Sequence, residues 1–355
     1  MLIDGNGANA PKIAVETSVR KLLLGPGAVS QLTVNTNFTV VEDMLVCSYG
    51  TVTHDYPGAA GNSVTLTIGG NLTVDTGGKI DVTGKGYPAL QGPGYSTDQR
   101  PGSHGGRGFG QAAGTYGAVV TPVTHGSGGR HGPGGGVVTL SVVGTTRIDG
   151  VIRSHGKAVE TTSNPGAGGS IRISSGQLCG EGDIDADGGT TTGNGSGGGR
   201  IAVILGNGTD TGDVSIHAFG GRAGSVNVGG AGTVYLKFAG ERAGRVFIDN
   251  GNPASAATTD FPPTTNGVPQ ELANATLIIT NTTAVGLVGD EWVGNILIYT
   301  NASMTLSSYY LHVDSIEHSL EDLTDKHPDA STNRVDYYEQ ILWEGDPAGT
   351  IFMIR

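Results

Sequence analysis

Cysteine and tryptophan are scarce in this chain, with two of each among 355 residues. Cys47 and Cys179 lie far apart and fit no metal-binding spacing. Each reads as a small buried apolar residue, and a disulfide between them stays open at this point. Charge is also sparse, at 15%, and aromatics make up 6%. Lysine and arginine number 20 against 32 acids, a net charge of −12. That balance excludes the clustered basic side chains that phosphate contacts require, so nucleic acid is not an expected partner. No apolar run approaches the ~18 residues of a membrane span, so none is expected. The opening "MLIDGNGANAPK" has no hydrophobic signal region. The expectation is an exported protein, secreted or on a cell surface, whose signal has been removed.

Glycine is what the chain has in excess. It stands at 63 residues, where roughly 7% would be usual. Proline is limited to 15 and no Gly-X-Y period exists, which excludes collagen. Disorder is excluded too, because the apolar residues come in alternating runs.

Those runs repeat. Ile152, Ile184, Ile216 and Ile248 follow one another at 32-residue intervals in "VIRSHG", "DIDADG", "SIHAFG" and "FIDNG". A second series, "GGGVVTLSV", "GGSIRIS", "GGGRIAVIL" and "GGAGTVYLKF", keeps nearly the same period at Val138, Ile171, Ile201 and Val234. Each unit reads as strand, turn, strand and glycine-rich return. One unit holds too few apolar side chains to bury alone, so the units must stack. The expected fold is all-β: a parallel β-helix, or β-solenoid, with a repeat of about 32 residues. Glycine would serve tight turns and close approach of coils, or polyproline-II packing with hydrogen bonds between segments.

"GGNLTVDTGGKIDVTGKG" fits the same template, with Leu72, Val74, Ile80 and Val82 inward. The longer gap from Ile80 to Ile152 marks a glycine-rich insertion at 84–136. The expected organisation is N-terminal strands or a cap over 1–68 and the glycine-rich β-helix over 69–252. A linker or long loop follows at 253–273, then a C-terminal β region with an acidic tail over 274–355. "NATL" and "NASM" suggest coils of different cross-section there, and "GTIFMIR" an apolar strand able to pair with an edge.

The succession "GSHGGRG", "YG", "GSGG", "GGSIRI", "GGGRIAVI" resembles large glycine-rich secreted proteins of bacteria, and some plant surface proteins, with β-helical repeats. The likeness covers roughly residues 60–250. More distantly the coils resemble the pectate-lyase-like β-helix superfamily, whose members include polysaccharide lyases, glycoside hydrolases, tailspikes and adhesins. Such a likeness speaks to architecture and does not choose an activity.

Three groups of residues carry candidate chemistry. The insertion holds one acid, Asp98, and is net positive. It contains His104, Arg107, Tyr116, His125, Arg130 and His131. A lyase on a uronate-containing glycan needs a cation for the carboxylate, a base for the C5 proton and an acid for the leaving oxygen, which these residues could supply. Equally, they could hydrogen-bond a glycine backbone that has no side chains of its own. Asp183, Asp185 and Asp187 match the opening of a calcium loop but lack its closing glutamate. On a strand they would share one solvent face, a self-repelling row that calcium would relieve. Arg153, Asp185, His217 and Asp249 fall in one column of the repeat and form a glycan-binding stripe in the expected fold. Two functions follow. One is an extracellular structural or adhesive module, carbohydrate-binding or self-assembling. The other is a polysaccharide-active enzyme, a lyase above all.

Overall fold

The computed structural model describes residues 1–5, 10–56, 61–95, 97–111, 113–159, 164–190, 192–222, 227–251, 256–263, 271–281, 283–299 and 302–313, and the backbone of strands Arg334–Asp336 and Ile341–Trp343. Most of the acidic tail, and the segment "GTIFMIR", lie outside the described residues. Within them the chain is all-β, with no helix. A 14-stranded sheet and a 7-stranded sheet hold most strands, and sheets of 4 and 3 strands complete the C-terminal part.

Nearly every pairing is parallel. In the 7-stranded sheet Ile80 pairs with Ile152, Ile152 with Ile184 and Ile184 with Ile216. In the long sheet Val138 pairs with Ile171, Ile171 with Ile201 and Ile201 with Val234. All but one of these side chains are buried, and Ile216 is half-buried against the same core. β-branched apolar residues stack in register because a one-residue slip would turn each of them away from its core.

Three features refine the sequence reading. First, the two strands of each unit are present, but the first runs on for 12 or 10 residues, Val137–Ile148 and Ser170–Cys179, and only a short turn separates it from the second, Val151–Arg153 or Asp183–Asp185. A register shift between Val142 and Thr145 marks the expected end of the first strand. Gly144 and Gly176 sit at it, where a bulged strand tolerates a missing side chain. Second, the N-terminal strands continue the ladder, since Val64–Ile68 pairs both with the long strand Val137–Ile148 and with Asn37–Val40. Third, the C-terminal strands pair Thr276 with Asn295 and Val285 with Met304. "NATL" therefore stacks on "NILI", not on "NASM", because the coil there is shorter than the 27 residues between those motifs.

The fourth repeat also breaks rank. Arg245–Asp249 joins the long sheet, antiparallel to Thr233–Lys237, with Val234 opposite Phe247. This hairpin lets one sheet serve two cores. Ile201, Val203, Leu205 and Val234 face the core shared with the N-terminal strands. Ala202, Tyr235, Val246 and Ile248 face a second core completed by Leu277, Ile279 and Ile296. The continuous apolar run "RIAVIL" follows from burial on both faces.

Residues 85–136 hold no strand among the described residues, and their glycines hydrogen-bond to one another and to glycines of later loops. Gly105 N–H and Gly106 N–H donate to Gly198 O, Gly126 N–H to Gly135 O, and Gly197 N–H to Gly102 O. Bonds run chiefly between segments, as in a polyproline-II bundle. A Cβ on Gly105 would stand 2.0 Å from Gly199 O, so only glycine fits. Both cysteines are free, Cys47 buried and Cys179 half-buried.

Candidate functional site

The insertion brings several predicted residues together, but inside the protein. His104 is fully buried. Its Nδ1–H donates to Gly168 O at 2.8 Å and its Nε2 accepts from Thr124 Oγ1 at 2.8 Å. Burial, with the Arg200 cation nearby, lowers its pKa to about 3. Tyr116 packs its ring 4.6 Å from that of His104. Its hydroxyl donates to His125 O at 2.6 Å and meets Ser127 Oγ at 2.8 Å. Burial pushes the phenol well above its ordinary range. His125 Nε2 donates to Asn62 O, and its ring meets those of His54 and Tyr87 edge-on. Arg107 turns away and holds Asp260 through Nε at 2.7 Å to both carboxylate oxygens. Arg130 and His131 are exposed and stand outside this cluster. Only His104 bonds to a glycine carbonyl; Tyr116, His125 and Arg107 reach the His125 and Asn62 carbonyls, the Ser127 hydroxyl and the Asp260 carboxylate.

Sequence reasoning missed the partners of that cluster. His54 takes Val137 N–H at its Nε2, donates Nδ1–H to Asp55 O, and is pushed down to about 4 by burial. Arg200 is fully buried; it donates to Tyr116 O and Thr233 Oγ1, while desolvation lowers its pKa to about 10. The sequence signalled neither: Arg200 alternates with the inward Ile201 and Val203 and reads as an outward position, buried only because a second core covers that face, and His54 carried no pattern.

The stripe divides. Arg153, Asp185 and His217 stand in register on adjacent strands. Asp249 does not join them, because its strand went to the long sheet. It binds Asn281 Nδ2 through both oxygens at 3.0 Å instead. Asp185 is buried beneath Arg153, whose Nε lies 3.1 Å away, and beneath His155. Burial opposes ionisation of Asp185, but its bonds from His155 and Arg153 prevail and hold its pKa below the usual value. His155 was readable as the next outward position after Arg153.

The expected acid row is overturned in the same way. Asp185 points at Arg153 and His155, and Asp187 accepts from His217 Nδ1 at 2.9 Å and from Phe219 N–H at 2.7 Å. The three carboxylates share no solvent face. No group of three or more metal-ligating side chains converges among the described residues.

A cavity of about 250 Å³ opens where the 7-stranded sheet ends. Ile216, Ala218, Val234, Leu236, Phe219 and Phe247 are among its apolar lining, and Thr211, His217 and Asp249 are its polar side chains. The rings of His217 and Phe219 stack at 4.4 Å and 7°. Burial lowers the affinity of His217 for a proton, yet Asp187 outweighs it and the net shift is upward. Among the described residues no helix is long and apolar enough to cross a membrane. Comparisons with protein-family models, curated proteins and solved structures find no match for this chain.

Proposed function

We propose that this chain is an extracellular or cell-surface β-solenoid that acts as a structural and adhesive module. The register-stacked parallel strands, continuous from Leu2 to the 32-residue repeats, support the solenoid reading. So does the likeness of its glycine-rich coils to secreted and surface β-helical proteins.

The observation that carries the functional reading is the fate of the insertion's side chains. His104 and Tyr116 are buried and bonded to backbone or neighbouring hydroxyls, and Arg107 is tied to Asp260. A lyase needs the same groups free at a cleft that admits a sugar chain. The open cavity offers no substitute for a uronate polymer, because Asp249 lies at it and Asp187 beside His217. Of the cations near it, Arg153 is held by Asp185 and Arg222 donates to Asn250 O and Gly251 O.

The test is incubation of the purified chain with pectic, alginate and glycosaminoglycan substrates, with and without calcium, followed by ultraviolet absorbance of unsaturated uronate. A flat trace is expected throughout. A rise abolished by Arg107→Ala would return the insertion to a catalytic role and overturn the adhesive reading.

A further inference from the structure

The ladder of the 7-stranded sheet stops at Ser215–His217, which among the described residues pairs only with Asp183–Asp185. Backbone groups of alternate residues point to opposite sides of a strand. Ser215 N–H donates to Gly182 O and His217 O accepts from Ala186 N–H, so these two residues face the existing neighbour. The N–H and C=O of Ile216 therefore face the open edge.

The repeat itself names what belongs there. Ile248 and Asp249 are the next members of the 32-residue series, but their strand lies in the long sheet. One rung above Ile216 is thus left unfilled by its own repeat. The cavity occupies this place, between the inward side chains of Ser215–His217 and those of Thr233–Lys237, with Phe247 beside them. At about 250 Å³ it falls below the ~300–1,000 Å³ of pockets for drug-sized ligands. It suits one or two aliphatic side chains and is narrow for a glycan chain. Outward, the column runs cation, anion, imidazole: Arg153, Asp185, His217. Asp187 accepts from His217 Nδ1–H, which leaves Nε2 facing the next rung, a donor to a carboxylate there once the ring is protonated.

We propose that this slot binds an extended polypeptide by strand addition, seating an aliphatic side chain over Ile216 and the carboxylate of the following residue over His217. The assignment rests on the adhesive reading above and names the partner class for it. Main-chain bonds at the Ile216 edge supply affinity, and the apolar seat and the imidazole supply specificity.

The test uses the full chain and a fluorescein-labelled synthetic peptide with the sequence of Arg245–Gly251, RVFIDNG, read by fluorescence anisotropy. Saturable binding is expected. Peptides carrying Ile248→Asp or Asp249→Lys should each bind at least about tenfold more weakly, a difference of ~1.4 kcal/mol. In the protein, Ala218→Leu fills the slot and should abolish binding with the far-ultraviolet circular dichroism unchanged. Equal affinity for all three peptides, or no binding at millimolar peptide, overturns the proposal. A neutral oligosaccharide that binds, is blocked by Ala218→Leu and leaves the peptide unbound overturns strand addition while the adhesive reading stands. If neither peptide nor oligosaccharide binds, both readings fall.

Discussion

Acid should loosen the glycine-rich insertion through His104, and the size of the effect follows from its surroundings. The ring is fully enclosed, donates to a carbonyl that can only accept, and lies near the Arg200 cation. Its pKa falls from 6.5 to about 3. In the unfolded chain the same imidazole takes a proton near 6.5, so between the two values the unfolded state binds more protons. Stability is therefore complete above pH 6.5 and is lost progressively as pH falls toward 3. At 1.36 kcal/mol for each pKa unit, the full loss is about 5 kcal/mol, of which about 3 kcal/mol is reached by pH 4. His54 and the carboxylates titrate as well, so the informative quantity is a difference between two proteins. His104→Asn keeps a donor for Gly168 O and an acceptor for Thr124 and removes the titration. Urea unfolding of both proteins from pH 8 to pH 4 should show the wild type losing about 3 kcal/mol more than the variant. Curves that stay parallel across that range would refute the claim that His104 is held neutral by burial.

Other expectations follow from single contacts. Gly105→Ala forces a Cβ to 2.0 Å from Gly199 O, so thermal melts should show a loss of at least about 4 kcal/mol or no folded protein. Gly286→Ala meets nothing within 4 Å and should be neutral or stabilise by about 0.5 kcal/mol. Asp260→Asn breaks the pair with Arg107 and weakens the acceptor for Thr115 N–H, a cost of about 3 kcal/mol in urea unfolding at neutral pH. Glu291 is raised to about 7 by burial, so its native state binds more protons than the unfolded chain. Stability from this group is present below pH 4.5 and is lost as pH rises to 7. Glu291→Gln should accordingly gain up to about 3 kcal/mol at pH 8 and little at pH 4 in paired unfolding curves.

The two apolar series were legible because stacking of identical inward residues leaves a fixed interval, and Ile152–Ile184–Ile216 and Val138–Ile171–Ile201–Val234 pair as that interval requires. The charged column was legible as far as His217, for the same reason. Asp249 was misplaced because the repeat motif "FIDNG" persists in sequence after its strand has changed sheets. Nothing local marks that change: Val246 and Ile248 alternate with Phe247 whichever core they face. Coil shortening after 274 was hidden likewise, since short strands carry apolar alternation without stating their partners.

The sequence by itself determined an all-β chain, the register of its repeats and the need for glycine where coils crowd. Each follows from side-chain period or from the lack of a Cβ. Only the tertiary structure decided which side chains meet. Packing put His104 and Tyr116 inside, drew Arg107 to an aspartate some 150 residues away, and set Asp185 under Arg153 and His155. Burial and ionic pairing depend on neighbours that are distant along the chain, so composition and spacing cannot fix them. The same holds for the unfilled rung above Ile216, which exists because a hairpin sent the next strand elsewhere.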